Sequence, residues 1–344
     1  MIDESLLRRL PKAELHCHLE GAVPAETAIM LARRNGVRLP TYDAQQLYRF
    51  ADLPQFLTVY RAVCASIVTA ADFAEVAYAA QADAAIAANL RYRELFVNPT
   101  NHPDLPYPRL LAGVLDGLRA AQVDHGVIGR LIPAINREQS ASVAGDLVEA
   151  VIAHRVDEVV GIGLDHNDVL GPPVKFAGVY ARARAAGLRR TAHAGEIAQA
   201  RQVTESIEVL GCERIDHGYA IIDDPVALAH ALASGVHFAT CWSTCAWFHP
   251  DRIGVASPIV AMAAAGLPLS INSDDPPMFG TDIGREYHGA ATAFGWTLDD
   301  AQRAALTVLD AAWIDDTERR QLVDEFRRET TDLGASTAEL DIAE

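Results

Sequence analysis

Eight short apolar runs, separated by helix-forming stretches, constrain this chain more than any other feature. They fall at residues 14–18, 91–97, 127–135, 159–164, 188–193, 214–217, 236–241 and 267–272. Most are continuously apolar rather than alternating, the pattern of parallel strands buried on both faces. The stretches between them at 24–35, 70–89, 107–125, 138–154, 176–186, 201–210, 224–234 and 257–265 read as helices. Several end at Gly or Asn, as at Asn35-Gly36, Asn89, Gly187, Gly211, Gly235 and Gly266, residues that readily take the left-handed backbone beyond a helix end. Eight such units in series predict an α/β fold, a TIM-type (β/α)8 barrel formed as a single domain over 1–344. Extra helices are expected after strand one and at the C-terminus, over 285–335. A doubly wound sheet is the alternative, but no Gly-x-Gly-x-x-Gly follows the first strand, and Gly161-Ile162-Gly163 lies within a strand. Residues 41–61 are aromatic-rich and read either as helix-packing core or as a lid over a pocket.

In such a barrel the active site is built at the C-terminal ends of the strands, and the polar residues of this chain gather there. His16 and His18 end strand one, one residue apart. On an extended strand, residues i and i+2 project from the same face, so the two imidazoles can point at one metal ion. Ordinary polar residues on a strand are the bland alternative for such a pair. His193 ends strand five with Glu196 three residues on, His217 ends strand six, and Asp274-Asp275 follow strand eight. Three histidines and a carboxylate suit one divalent ion, zinc being the expected species, with a position left for water. Such an ion would lower the pKa of that water. Adjacent aspartates at a strand end are expected to point to different sides and so to take different tasks.

Composition removes other classes. Of 344 residues, 50% are hydrophobic and 22% charged, with a formal net charge of −17 and no Lys/Arg run, so nucleic acid is not expected as a partner. The five cysteines, Cys17, Cys64, Cys212, Cys241 and Cys245, are odd in number and scattered, which is not a disulfide framework. The acidic N-terminus lacks the form of a signal peptide, and no apolar run reaches the ~18–20 residues of a membrane span. A cytoplasmic protein with a small-molecule substrate and no membrane partner is expected; monomer and homo-oligomer both remain open.

The segments Leu10-Pro-Lys-Ala-Glu-Leu-His16-Cys-His18-Leu-Glu20-Gly21, His193-Ala-Gly195-Glu196, Arg214-Ile-Asp216-His217-Gly218 and Ser270-Ile-Asn-Ser-Asp274-Asp275-Pro276 resemble the signature segments of the adenosine/adenine deaminase family, barrels of the amidohydrolase superfamily. The resemblance runs from about residue 10 to 320. It implies that His16, His18, His193 and Asp274 bind the metal. Glu196 would protonate the purine nitrogen next to the carbon under attack, and would need a raised pKa to do so. His217 and Asp275 would orient and deprotonate the attacking water. Glu20, Asp165, His166, Gly195, Asp216 and Asp275 would surround the substrate. The implied reaction is hydrolytic deamination of a 6-aminopurine base or nucleoside by a metal-activated water, releasing ammonia.

The branch of the family is mixed. Asp216 before His217, Glu20, and Gly161–Asp165 followed by Pro172-Pro173 resemble adenine deaminases. Asp275-Pro-Pro-Met-Phe-Gly280 resembles nucleoside and aminodeoxyfutalosine deaminases, so a modified adenine compound, including an N6-substituted adenine, is the alternative substrate. A non-deaminating amidohydrolase and a non-catalytic relative are further alternatives. After strand seven the family pattern Cys-Pro-x-Ser-Asn is replaced by Cys241-Trp242-Ser243-Thr244-Cys245, expected to alter the turn and to add aromatic bulk at the pocket rim. His166 stands where the family often has Gly or Ser, a change expected to narrow or re-aim the base pocket.

Overall fold

The structure, a computed structural model, describes residues 2–341. Met1 and residues 342–344, the ends of the expected 1–344 domain, lie outside the described residues.

A short helix α1 (Glu4–Arg9) precedes β1 (Lys12–His18). Helices α2 (Ala25–Asn35), α3 (Ala44–Leu47), α4 (Leu53–Ser66) and α5 (Ala70–Ala88) then intervene before β2 (Leu90–Val97). From there strand and helix alternate: α6 (Tyr107–His125), β3 (Ile128–Asn136), α7 (Ala141–Ala153), β4 (Gly161–Asp165), α8 (Ala177–Ala185), β5 (Arg189–Ala194), α9 (Arg201–Glu208), β6 (Arg214–His217), α10 (Pro225–Ser234) and β7 (His237–Cys241). Helices α11 (Trp242–Phe248) and α12 (Pro258–Ala264) lead to β8 (Leu269–Asn272), and α13 (Ile283–Phe294), α14 (Leu298–Ala311) and α15 (Asp316–Asp341) follow. Every expected strand is present within two residues of its expected bounds. The extra helices fall where expected, after strand one and at the C-terminal end. Among the described residues, no helix is long and apolar enough to cross a membrane.

The strands pair in parallel in the order β1 to β8. The ring closes between β1 and β8, where Cys17 pairs with Asp274. There His18 N donates to Asp274 O at 2.8 Å, and Asp274 N donates to His16 O at 3.2 Å. The backbone bonds that shut the barrel therefore belong to residues expected to hold the metal.

Local chemistry fixes the ends of the elements. Thr69 and Asp72 form a reciprocal capping box at the start of α5, and Asn89 ends that helix in the left-handed conformation (φ 52°). Between the barrel and α5, where Arg93 also donates to Ala80 O at 2.9 Å, Glu14 accepts from Ser273 N at 3.0 Å and Ser273 Oγ at 2.6 Å, and pairs with Arg93. That buried set holds the end of β8, and so the two residues that follow Ser273. At the other end of the barrel, Arg214 pairs with Glu94 at 2.7 Å and stacks on Trp313 at 4.0 Å.

Candidate active site

The polar strand ends converge on one cavity of about 320 Å³, within the range of small-molecule sites. Its wall includes His18, His193, His217, Glu196, Asp274, Asp275, Asp165 and His166. Leu53, Phe56, Leu57, Tyr60 and Cys64 of α4 cover one side. Residues 41–61 fit both readings: Phe56 and Tyr60 belong to the packed core, and α4 also lies as a lid along the cavity, its Phe56 packing with Phe50, Trp247 and Phe279.

Three strand ends carry an unusual backbone. His166, His217 and Asp274 have φ of 68°, 68° and 62°, a left-handed region that residues with a Cβ seldom adopt. The consequence is a break in strand alternation. Asp274 and Asp275 both reach the cavity wall, rather than pointing to different sides as expected from an extended strand end. Asp216 and His217 likewise both face the histidine cluster.

The geometry suits a metal ion. His16, His193, His217 and Asp274 place donor atoms within 4.8 Å of one another. His18 joins them: its Nε2 is 3.0 Å from His193 Nε2 and 3.4 Å from Asp274 Oδ1. His16 Nε2 is 3.1 Å from the same oxygen. Asp216 stands behind two of the histidines, 3.6 Å from His16 Nδ1 and 3.3 Å from His193 Nδ1. A carboxylate on the far nitrogen fixes ring orientation and leaves Nε2 free for a metal. His217 differs, because its Nε2 is turned toward Glu196 Oε1 at 3.6 Å.

The charges are sorted by environment. Burial opposes ionisation of Asp274, but the surrounding histidines His16, His217 and His18 hold its carboxyl far below the usual range. His16, despite burial, is lifted to about 10 by Asp274 and Asp216. His18 is pushed down to about 4 by burial and by His193. Burial drives His217 well below the usual imidazole value. Glu196 and Asp275 are pushed well above the carboxylate range by burial and then by the Asp274 charge. The wall thus sets two carboxyls whose pKa values are raised beside an imidazole whose pKa is lowered.

Among the residues expected around the substrate, Asp165, His166 and Asp275 are on the wall. Asp165 Oδ1 accepts from Asn98 Nδ2 at 2.8 Å and lies 2.7 Å from His166 Nδ1. Burial works against its ionisation, yet His166 holds its pKa at about 2. Glu20, Gly195 and Asp216 are placed differently from expectation, behind the wall. Glu20 Oε1 accepts from Asn98 N at 2.9 Å and faces His102 Nε2 at 3.4 Å. Gly195 makes the left-handed turn (φ 69°) that sends the chain from β5 into Glu196. Asp216 is spent on the two histidines. The segment after β7 also departs from expectation: it forms α11, not a rearranged turn. Trp242 packs on Gly289 and Phe294, and Cys245 is buried near Ser257. The aromatic bulk at the cavity comes instead from Phe248 on the wall and Trp247 in the lid cluster.

A family model described as adenosine deaminase matches residues 11–329. The chain belongs to the adenosine deaminase family. Among family members, an adenine deaminase from Streptomyces coelicolor is 38% identical, covering 91% of this chain and 93% of the relative. One from Rhodospirillum rubrum is 35% identical, covering 91% and 94%. The crystal structure of an adenine deaminase from Arthrobacter aurescens superimposes with a TM-score of 0.86 at 32% identity, covering 93% of this chain and 98% of that one. An amidohydrolase from Burkholderia ambifaria, solved with bound zinc, gives 0.89 at 33% identity, covering 98% and 96%.

Several residues that build the site carried no sequence signal. Asn98, at the end of β2, could have been found by the rule that strand ends bear function. His102 and His249 lie outside the four signature-like segments. His102 meets Glu20, and His249 Nε2 donates to Glu196 O at 2.9 Å.

Proposed function

We propose that this family member converts adenine and water to hypoxanthine and ammonia. The observation that carries the reading is the pairing, across one cavity, of the Glu196 carboxyl with the His217 imidazole 3.6 Å away, the first with a raised and the second with a lowered pKa. An acid and a base with opposed pKa shifts are what deamination at a ring carbon requires. The relatives named adenine deaminases, matched over about nine-tenths of the chain, support the base as substrate.

We assign His16, His18, His193 and Asp274 to a single divalent cation, zinc by its preference for imidazole and carboxylate ligands. Their convergence, with Asp216 behind the rings, fits such an ion. When bound, it supplies Lewis-acid activation of the attacking water. The chain's own groups do the rest. Glu196 donates its proton to the ring nitrogen beside C6, which draws electron density from that carbon. His217 removes a proton from the water as its oxygen bonds to C6, and Asp275 orients that water. The proton taken by His217 passes to the amino group, and as the C6–N bond breaks and ammonia leaves, the hydroxyl left on C6 gives its proton back to Glu196 and becomes the carbonyl. Asp165 and His166 sit where they can meet the polar edge of the base.

The test is incubation of zinc-loaded protein with adenine, adenosine, deoxyadenosine and N6-methyladenine, following ultraviolet absorbance and ammonia. Turnover of adenine above the nucleosides is the expected result. A preference for adenosine moves the substrate to the nucleoside, and absence of turnover on every aminopurine overturns the reading.

A further inference from the structure

The Glu196 side chain has a poor grip of its own: among the described residues its carboxyl makes no hydrogen bond, and His217 Nε2 stands 3.6 Å from Oε1, beyond hydrogen-bond distance. Its orientation therefore comes from the backbone that carries it. That backbone is held from both sides. On the amide side, three consecutive N–H groups converge on one carboxylate. Glu196 N and Ile197 N donate to Asp168 Oδ2 at 2.9 and 3.3 Å, and Ala198 N donates to Oδ1 at 3.1 Å and Oδ2 at 3.2 Å. Asp168 is fully buried and is itself anchored, its carbonyl accepting from Gln202 Nε2 at 2.6 Å and Arg137 Nη1 at 3.4 Å. Arg137 also donates to His193 O, tying the same scaffold to the end of β5. On the carbonyl side, Glu196 O accepts from His249 Nε2 at 2.9 Å. His249 follows the last residue of α11, the segment that departs from the family pattern.

We infer that Asp168 and His249 are positioning residues for Glu196, clamping its peptide from the amide and carbonyl sides so that the carboxyl meets the ring nitrogen. The inference rests on Glu196 being the proton donor. These contacts precede α9 by three or more residues, so Asp168 is not capping that helix. An ionised carboxylate accepts all three amides at once. An asparagine in its place offers one carbonyl oxygen and turns an NH₂ group toward N–H groups, which loosens the turn. A reacting group displaced by about 1 Å costs on the order of 10²-fold in rate.

The experiment is a double-mutant cycle with adenine as substrate and metal content measured on every variant. E196Q is expected to lose about 10²–10⁴-fold in kcat. D168N is expected to lose on the order of 10- to 100-fold in kcat, with one metal per chain and KM little changed. H249A is expected to lose about 10-fold, smaller because one hydrogen bond is removed rather than a triple acceptor. In the E196Q background, D168N and H249A are each expected to cost little more, because the group they position is already disabled. Full additivity with E196Q, or D168N and H249A at wild-type kcat, overturns the clamp. Wild-type activity of E196Q instead overturns the role of Glu196 itself, so the two failures are distinguishable. His249 is only half-buried, and the H249A arm decides the matter if D168N does not fold.

Discussion

The Nε2 atoms of His18 and His193 stand 3.0 Å apart, with Asp274 Oδ1 3.4 Å from the first of them. Two imidazolium rings cannot share that spacing, and the His18 pKa is accordingly pushed down, by burial and by His193. A cation held by both rings would relieve the conflict. Stripping the metal with a chelator is therefore expected to abolish deamination, and one equivalent of zinc per chain to restore it. Asp274→Ala, which removes the carboxylate shared by His16 and His18, is expected to lower metal affinity by about 10²-fold or more. Metal analysis after dialysis checks this; full retention with normal activity removes Asp274 from the ligand set.

In the proposed reaction Glu196 carries a proton and His217 does not. The Glu196 pKa is raised by burial and then by the Asp274 and Asp168 charges, so activity is expected to fall as pH rises through its value. The His217 pKa is lowered by burial, so activity is expected to fall as pH drops through that value. The kcat/KM profile should be bell-shaped, with the two limbs belonging to the coupled pair. Glu196→Gln is expected to keep its metal, to lose the alkaline limb, and to lose about 10²–10⁴-fold in rate. An alkaline limb that persists in the glutamine variant assigns it to another group.

These groups were legible in the sequence because a parallel barrel concentrates function at strand ends. His16 and His18 share a strand face, and His193, Glu196, His217 and the two aspartates each follow an apolar run. What escaped acts through the backbone. Asp168 and His249 hold Glu196 by its N–H and C=O groups, and no residue pattern records which main-chain atoms a distant side chain will reach. Asp216 was misplaced beside the substrate because its partners, His16 and His193, come from other strands. Trp242 was misplaced because its direction depends on α11 forming directly after β7 and turning that ring toward Gly289. The paired orientation of Asp274 and Asp275 rests on a left-handed φ at a residue with a Cβ, which alternation rules exclude.

Gly21 is required by the seat of Asp275. A Cβ added at Gly21 would come within 1.5 Å of Asp275 Oδ1, an oxygen that is buried and without a protein partner. Gly21→Ala is therefore expected to push the Asp275 carboxyl aside and to cost about 10²-fold in kcat/KM, with metal content unchanged because the three atoms nearest that Cβ all belong to Asp275. Normal kinetics in the alanine variant count against a role for Asp275 in turnover.

Glu286 offers a pH test of stability away from the metal cluster. Its buried carboxylate accepts from Trp242 N at 2.6 Å, Ser243 N at 3.1 Å and Thr281 Oγ1 at 2.7 Å. It thereby joins α11 to the segment that follows Asp275. Burial nevertheless pushes its pKa up to about 7, against those bonds. Because the folded value lies above the unfolded one, the folded state binds the proton more tightly. The stabilisation is complete below the unfolded carboxylate value near 4.5 and is lost as pH rises through about 7. The span corresponds to roughly 3 kcal/mol. Glu286→Gln cannot titrate, so the stability gap between wild type and variant should narrow as pH rises from 5 to 7.5. Urea unfolding of the metal-loaded proteins across that range measures the gap, and parallel curves for the two proteins would show that Glu286 stays ionised in the fold.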